Sequence, residues 1–136
     1  MNTEVKRMRP EFRAWTEEGK AMYYDVYPFR DNALLLSYDE IAFDEVPASD
    51  FILMQSTGLK DKNGKEIFEG DIVKYKVGCN TFTEEVVYDK NFAGFGVKDA
   101  DDNIIFSVGE LAEDIDLSSL EVVGNIYNNP GLLEEE

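Results

Sequence analysis

Apolar and polar residues alternate along most of this chain in short runs, and Gly, Asn, Asp and Pro separate one run from the next. The clearest run is "DIVKYKV" at 71–77. Val73, Tyr75 and Val77 fall on one face and Ile72, Lys74 and Lys76 on the other, which predicts a half-buried strand with a charged outer face. The two lysines also fit an edge strand guarded against unwanted pairing. Near the start, "EFRAWT" at 11–16 sets Phe12, Ala14 and Thr16 against Arg13 and Trp15. "EEGK" then turns the chain and "AMYYDVYPF" at 21–29 resumes a β-rich composition, so the two runs predict a hairpin. Pro28 belongs at its edge or end, because proline has no N–H to give to a ladder.

"DNALLLSYDEIAF" carries Leu34, Leu35, Tyr38 and Ile41 at spacings that suit a strand and a helical face equally, and the pattern does not choose between them. Pro47 breaks whatever precedes it, and "SDFILMQS" supplies a further apolar run. Next comes "TGLKDKNGKEIFEGDIVKY" at 57–75. Its Asn63-Gly64 pair predicts a type I′ hairpin turn, whose two central residues both need positive φ. Gly58 and Gly70 mark bends on either side.

Four more strand-like runs follow: "TEEVVYD", "FAGFGVKD", "NIIFSV" and "LEVVGNIY". "GELAEDIDLSSL", between the last two, reads as one helical turn or a loop. Short runs at this spacing predict a mainly β fold, β-rich α+β at most. An N-terminal β-hairpin subdomain over 1–56 precedes a small antiparallel sheet or partly open barrel over 57–136, and the two make one compact unit.

With 136 residues, 43% of them hydrophobic, the chain can bury a core without a disulfide or metal. Its single Cys79 suits a reducing cytoplasm, and no apolar run approaches a membrane span or signal-peptide core, so a soluble cytoplasmic protein is expected. Charge adds more. The formal net charge is −16, spread unevenly: residues 31–59 and 99–136 contain no Lys or Arg, and residues 60–98 are balanced. Such a surface repels phosphate backbones and attracts basic partners. Direct nucleic-acid binding is therefore disfavoured, although Lys6, Arg7, Arg9 and Arg13 could form a local basic patch.

The absence of histidine removes Ser-His-Asp and Cys-His triads and histidine-ligated zinc. No phosphate-binding P-loop is present, and "GFGVKDADD" lacks the third glycine of a dinucleotide site. Asp99, Asp101 and Asp102 could offer oxygen ligands to a hard cation, but without EF-hand spacing they read as a solvated turn, and no cofactor or metal is expected. Glu69 and Asp71 form a carboxylate pair with no visible nucleophile, and Asp71 suits backbone N–H groups at the start of its strand. Trp15, Tyr23, Tyr24 and Tyr27 could make a binding face, with core packing the competing use.

"FRAW", "KAMYY", "LMQSTGLKDKNGKEIFEGDIVKY" and "EVVGNIYNNPGLL" occur in this order along nearly the whole chain, and together they resemble the YopX family of small phage and prophage proteins. Ser56 departs from it, standing where an aromatic follows "LMQ". The resemblance implies a β-rich fold with an SH3-like barrel from "EGDIVKY" to "EVVGNIY", a phage or prophage origin and a place in the host cytoplasm. It carries over no catalytic residue, since the family's activity is uncharacterised.

Gly58, Asn63, Gly64 and Gly70 are then turn formers, and Lys60, Asp61, Lys62, Lys65, Asp99, Asp101 and Asp102 are candidate partner contacts. The expected function is non-enzymatic: a module that binds a host or phage protein or assembles with itself. An acidic nucleic-acid mimic acting on a host DNA-binding enzyme and a carboxylate metal-dependent hydrolase are the competing classes.

Overall fold

The computed structural model describes residues 11–90, 93–98, 105–107 and 116–133, and the fold is mainly β. Two compact units divide the chain, Met1–Ser56 and Thr57–Glu136.

In the first unit, β1 (Phe12–Thr16) and β2 (Ala21–Tyr23) form the expected hairpin, with Ala14 opposite Tyr23. On its other side β1 pairs with β6 (Ile52–Lys60), Arg13 opposite Met54. Both faces of this alternating strand are covered: Arg13, Ala14 and Trp15 are all buried. The run at 21–29 is also two strands. A bend at Tyr24-Asp25 separates β2 from β3 (Val26–Arg30), which joins β4 (Ala33–Leu36) and β5 (Asp44–Pro47) in a second antiparallel sheet ordered β3-β4-β5. Pro28 lies on edge strand β3, as a residue without an N–H should.

The segment that fitted both strand and helix is a strand only to Leu36. A side-chain-knit loop follows, in which Asp39 Oδ1 accepts the Ile41 and Ala42 N–H groups and Ser37 Oγ accepts that of Glu40. Ala14, Val26, Leu34 and Leu36 form the core of this unit, with Phe12, Tyr23, Val46, Phe51 and Leu53 packed against it.

The second unit holds a five-stranded antiparallel sheet in the order β11-β10-β9-β8-β12. Its strands are β8 (Asp71–Val77), β9 (Asn80–Asp89), β10 (Gly94–Lys98), β11 (Ile105–Ser107) and β12 (Asp116–Asn125). β8 is therefore central, and Lys74 does not guard an edge in the folded sheet: it faces Thr83 on β9 and Glu121 on β12. The alternation itself holds, with Val73 and Tyr75 buried and Lys74 and Lys76 exposed, while Ile72 is buried as well. Ile67, Val73, Tyr75, Val86 and Val97 make this core. Residues 116–120, expected as a turn or loop, extend β12; the segment before them lies outside the described residues.

β7 (Glu66–Phe68) follows the predicted turn at Asn63-Gly64 and is the neighbour of β6. The turn differs from a type I′ turn. Gly64 alone is left-handed, with φ of 83°, and its N–H bonds the Asp61 carbonyl at 2.9 Å. This is the arrangement of a three-residue loop closed by a glycine bulge. Gly70, at φ 92°, immediately precedes β8 and bonds across the unit, accepting the Ile126 N–H at 2.9 Å.

Candidate functional site

The candidate residues around the turn fall into two groups. Lys60, Lys62 and Lys65 are exposed, and Lys62 Nζ lies 3.5 Å from Glu121. Asp61, expected at the surface, is 7% exposed. Its Oδ1 accepts the N–H groups of Asn63 and Lys65 at 2.9 Å each, and its Oδ2 accepts that of Val122 at 2.9 Å. Burial would push its pKa up, yet the three N–H groups and the charge of Lys65 outweigh it and hold the carboxyl below its ordinary value. Asp61 is thus a clasp between the turn and β12. Gly58, with φ of 85°, lies within β6 and Asn63 at the turn tip. Asp99, Asp101 and Asp102 lie outside the described residues, as do Lys6, Arg7 and Arg9 of the basic patch, and Arg13 is buried at 1% exposure.

The other chemical candidates take structural positions. Asp71 is buried and accepts the Phe68 N–H at 2.8 Å. Cys79 is exposed in the β8–β9 turn. Among the described residues, no group of three or more His, Cys, Asp or Glu is placed to hold a metal ion, and no helix is long and apolar enough to cross a membrane.

The chemistry that stands out is aromatic and lies in the N-terminal unit. Trp15 is core, donating its Nε1–H to Glu17 at 3.0 Å, but Tyr24, Tyr27, Phe29, Tyr38 and Phe43 are 43–57% exposed. On β3, Tyr27 and Phe29 are two residues apart. Tyr27 meets Phe43 edge-on with centroids 5.8 Å apart, and the Arg30 guanidinium lies 5.3 Å from the Phe29 ring centre.

A separate open groove of about 420 Å³ is lined by Tyr23, Tyr38, Phe51, Val46 and Pro47, together with the carboxylate residues Glu18 and Asp50. Local structure sets each wall. Tyr23 ends β2, Glu18 sits in the β1–β2 turn, and Tyr38 follows Ser37, whose N–H bonds the Asp25 carbonyl at 3.0 Å. Asp50 closes a 3₁₀ turn over Ala48–Asp50, after which the Phe51 N–H returns to the Ala48 carbonyl at 3.1 Å. Tyr23 packs against both other rings, with centroids 5.2 Å from Tyr38 at 86° and 6.4 Å from Phe51 at 74°.

Of the four aromatics that the sequence offered for a binding face or for core packing, Trp15 is core, Tyr24 and Tyr27 are exposed, and Tyr23 lines the groove. Tyr38 and Phe43 were missed because the segment from 31 to 43 had no assignable period, and Phe51 because it was read only as part of the apolar run "SDFILMQS". The absence of Lys and Arg from 31–59 was the available signal, for it marks the region around the groove as acidic.

Comparison with known proteins comes from sequence and fold. A family model described as "YopX protein" matches residues 11–134. The crystal structure of protein EF1440 from Enterococcus faecalis is similar at 30% identity, covering 92% of this chain and 98% of its own, with a TM-score of 0.64. That of protein yopX from Bacillus subtilis is similar at 25% identity, covering 90% of this chain and 97% of its own, with a TM-score of 0.59. No curated protein matches.

Proposed function

The chain belongs to the YopX family, and from that premise we propose that it is a non-enzymatic protein-binding module whose partner presents basic residues beside an apolar surface. One observation carries this reading: five large aromatics of the N-terminal unit stay exposed, in a unit where residues 31–59 bring six acids and no base. Aromatics at this exposure supply contact area at low entropic cost, and the surrounding negative charge steers cationic partners toward them.

The second unit suits a supporting scaffold. Its last strand, β12, pairs with its first sheet strand, β8, while β8 to β11 follow one another. That order is the one expected of a small SH3-like barrel, a framework that binds through loops and edges. In this reading the protein is of phage or prophage origin and acts in the cytoplasm of the bacterial host. A second copy of the chain is the self-assembling version of the same idea.

The test is affinity capture from host and from infected lysate, run in parallel with wild type and a Tyr27→Ser/Phe29→Ser variant. A partner retained at low salt by wild type and lost by the folded variant is the expected result. Equal capture by both proteins would remove the aromatic surface from the contact.

A further inference from the structure

We propose that the groove of the N-terminal unit is a receptor for a single cationic side chain, an arginine or lysine of the protein partner. The inference rests on the protein-binding reading and narrows it to one contact. Three rings meet at this groove, with Tyr38 and Phe51 each close to perpendicular to Tyr23. In each edge-to-face pair one ring's edge takes one face of the other, which leaves further ring faces for a contact, and such faces attract cations.

Charge then selects among ligands. Glu18 and Asp50 line the same groove, and among the described residues neither has a hydrogen-bond or ion-pair partner. An apolar ligand seated there would leave the two exposed carboxylates without a counter-charge. An anion would be repelled. A cationic side chain meets every requirement, since its methylene stem packs on Val46 and Pro47 while its head group reaches ring faces and carboxylates. Among the described residues, Lys20, beside Gly19 of the groove, gives its ammonium to Glu17. The volume of about 420 Å³ falls within the range of roughly 300–1,000 Å³ found for small-ligand pockets.

The full chain, labelled in its aromatic rings, would be titrated with the peptide acetyl-Gly-Arg-Gly-amide and, as a neutral isostere, the same peptide with citrulline in place of arginine. The arginine peptide is expected to shift the ring resonances of Tyr23, Tyr38 and Phe51 in a saturable way, and the citrulline peptide to leave them in place. Tyr38→Leu and Asp50→Asn, both at exposed positions, should each weaken binding by roughly fivefold while leaving resonances remote from the groove in place, the free Tyr23 signals moving in Tyr38→Leu because the two rings are in contact. Equal response to citrulline would overturn the cation assignment. Shifts confined to Tyr27, Phe29 and Phe43 would overturn the groove yet leave the protein-binding reading standing. Silence from every ring, combined with capture that survives Tyr27→Ser/Phe29→Ser, would overturn both.

Discussion

The Oδ2 atom of Asp61 accepts the backbone N–H of Val122 at 2.9 Å across 61 residues of sequence. With Asn63 and Lys65 bonded to Oδ1, one buried carboxylate serves three backbone donors. Asp61→Ala would leave all three to be satisfied by other means, and a loss of about 2–4 kcal/mol is expected. Denaturant unfolding should show it as a lower midpoint at constant slope. A loss below about 1 kcal/mol would mean that water takes over these bonds.

The same residue gives a pH dependence. Its carboxyl titrates lower in the fold than in the open chain, because the N–H bonds outweigh the cost of burial. Stability from this difference is therefore fully present above the ordinary Asp value of about 3.9 and is lost as pH falls through the folded-state value. Acid titration of stability should be steeper for wild type than for Asp61→Asn in that window. Superimposable acid limbs would exclude Asp61 as a source.

Gly124 on β12 accepts no larger residue without movement. A Cβ there would lie 2.6 Å from Asn129 Oδ1 and 2.9 Å from Leu132 Cδ1. Asn129 is held in turn, its N–H on the Asn125 carbonyl at 2.8 Å. Gly124→Ala should cost about 1–3 kcal/mol, whereas Gly131→Ala, which meets open space, should be close to neutral. Thermal melts of the two variants make the comparison.

Tyr75 donates its hydroxyl to Glu84 Oε1 inside the second unit, where both residues are buried. Tyr75→Phe keeps the ring contacts and withdraws one donor from a buried carboxylate, for an expected loss of about 1–3 kcal/mol. Chemical denaturation would settle the size, and an unchanged midpoint would show that other donors suffice.

Arg30 and Glu45 provide the contrast. Their guanidinium and carboxylate meet through contacts of 2.7–3.0 Å, but both side chains are well exposed. Glu45→Gln should therefore change stability by less than about 1 kcal/mol, and less still in molar salt. A larger loss would mark the pair as structural.

Much of the fold was legible because period-two alternation survives wherever one face meets solvent, as in Val73, Tyr75 and Val77 against Lys74 and Lys76. It failed where both faces are covered: nothing in "FRAWT" distinguishes a buried Arg13 from an exposed one. It failed also beyond Leu36, where Ser37 and Asp39 side chains organise the loop and no backbone period is left to read. The turn was located correctly, but Asp61, which accepts the Asn63 and Lys65 N–H groups within it, was read as a surface residue because its third partner, Val122, is far away in sequence. The groove was hidden for a related reason, since it gathers Tyr23, Tyr38 and Phe51 from three separate segments.

The place of Lys74 and Lys76 on a central strand has a consequence for how the chain reaches this fold. β9 follows β8 directly and can pair with it early, but β12 arrives some forty residues later, a slow and non-local closure. Until it docks, β8 is a temporary edge bearing Val73, Tyr75 and Val77, a template on which nascent chains could stack. The lysines then act as gatekeepers of the journey and become spectators at its end. Replacing both with threonine should leave equilibrium stability nearly unchanged while raising the turbidity of refolding samples. The guarded edge is one that exists only in time.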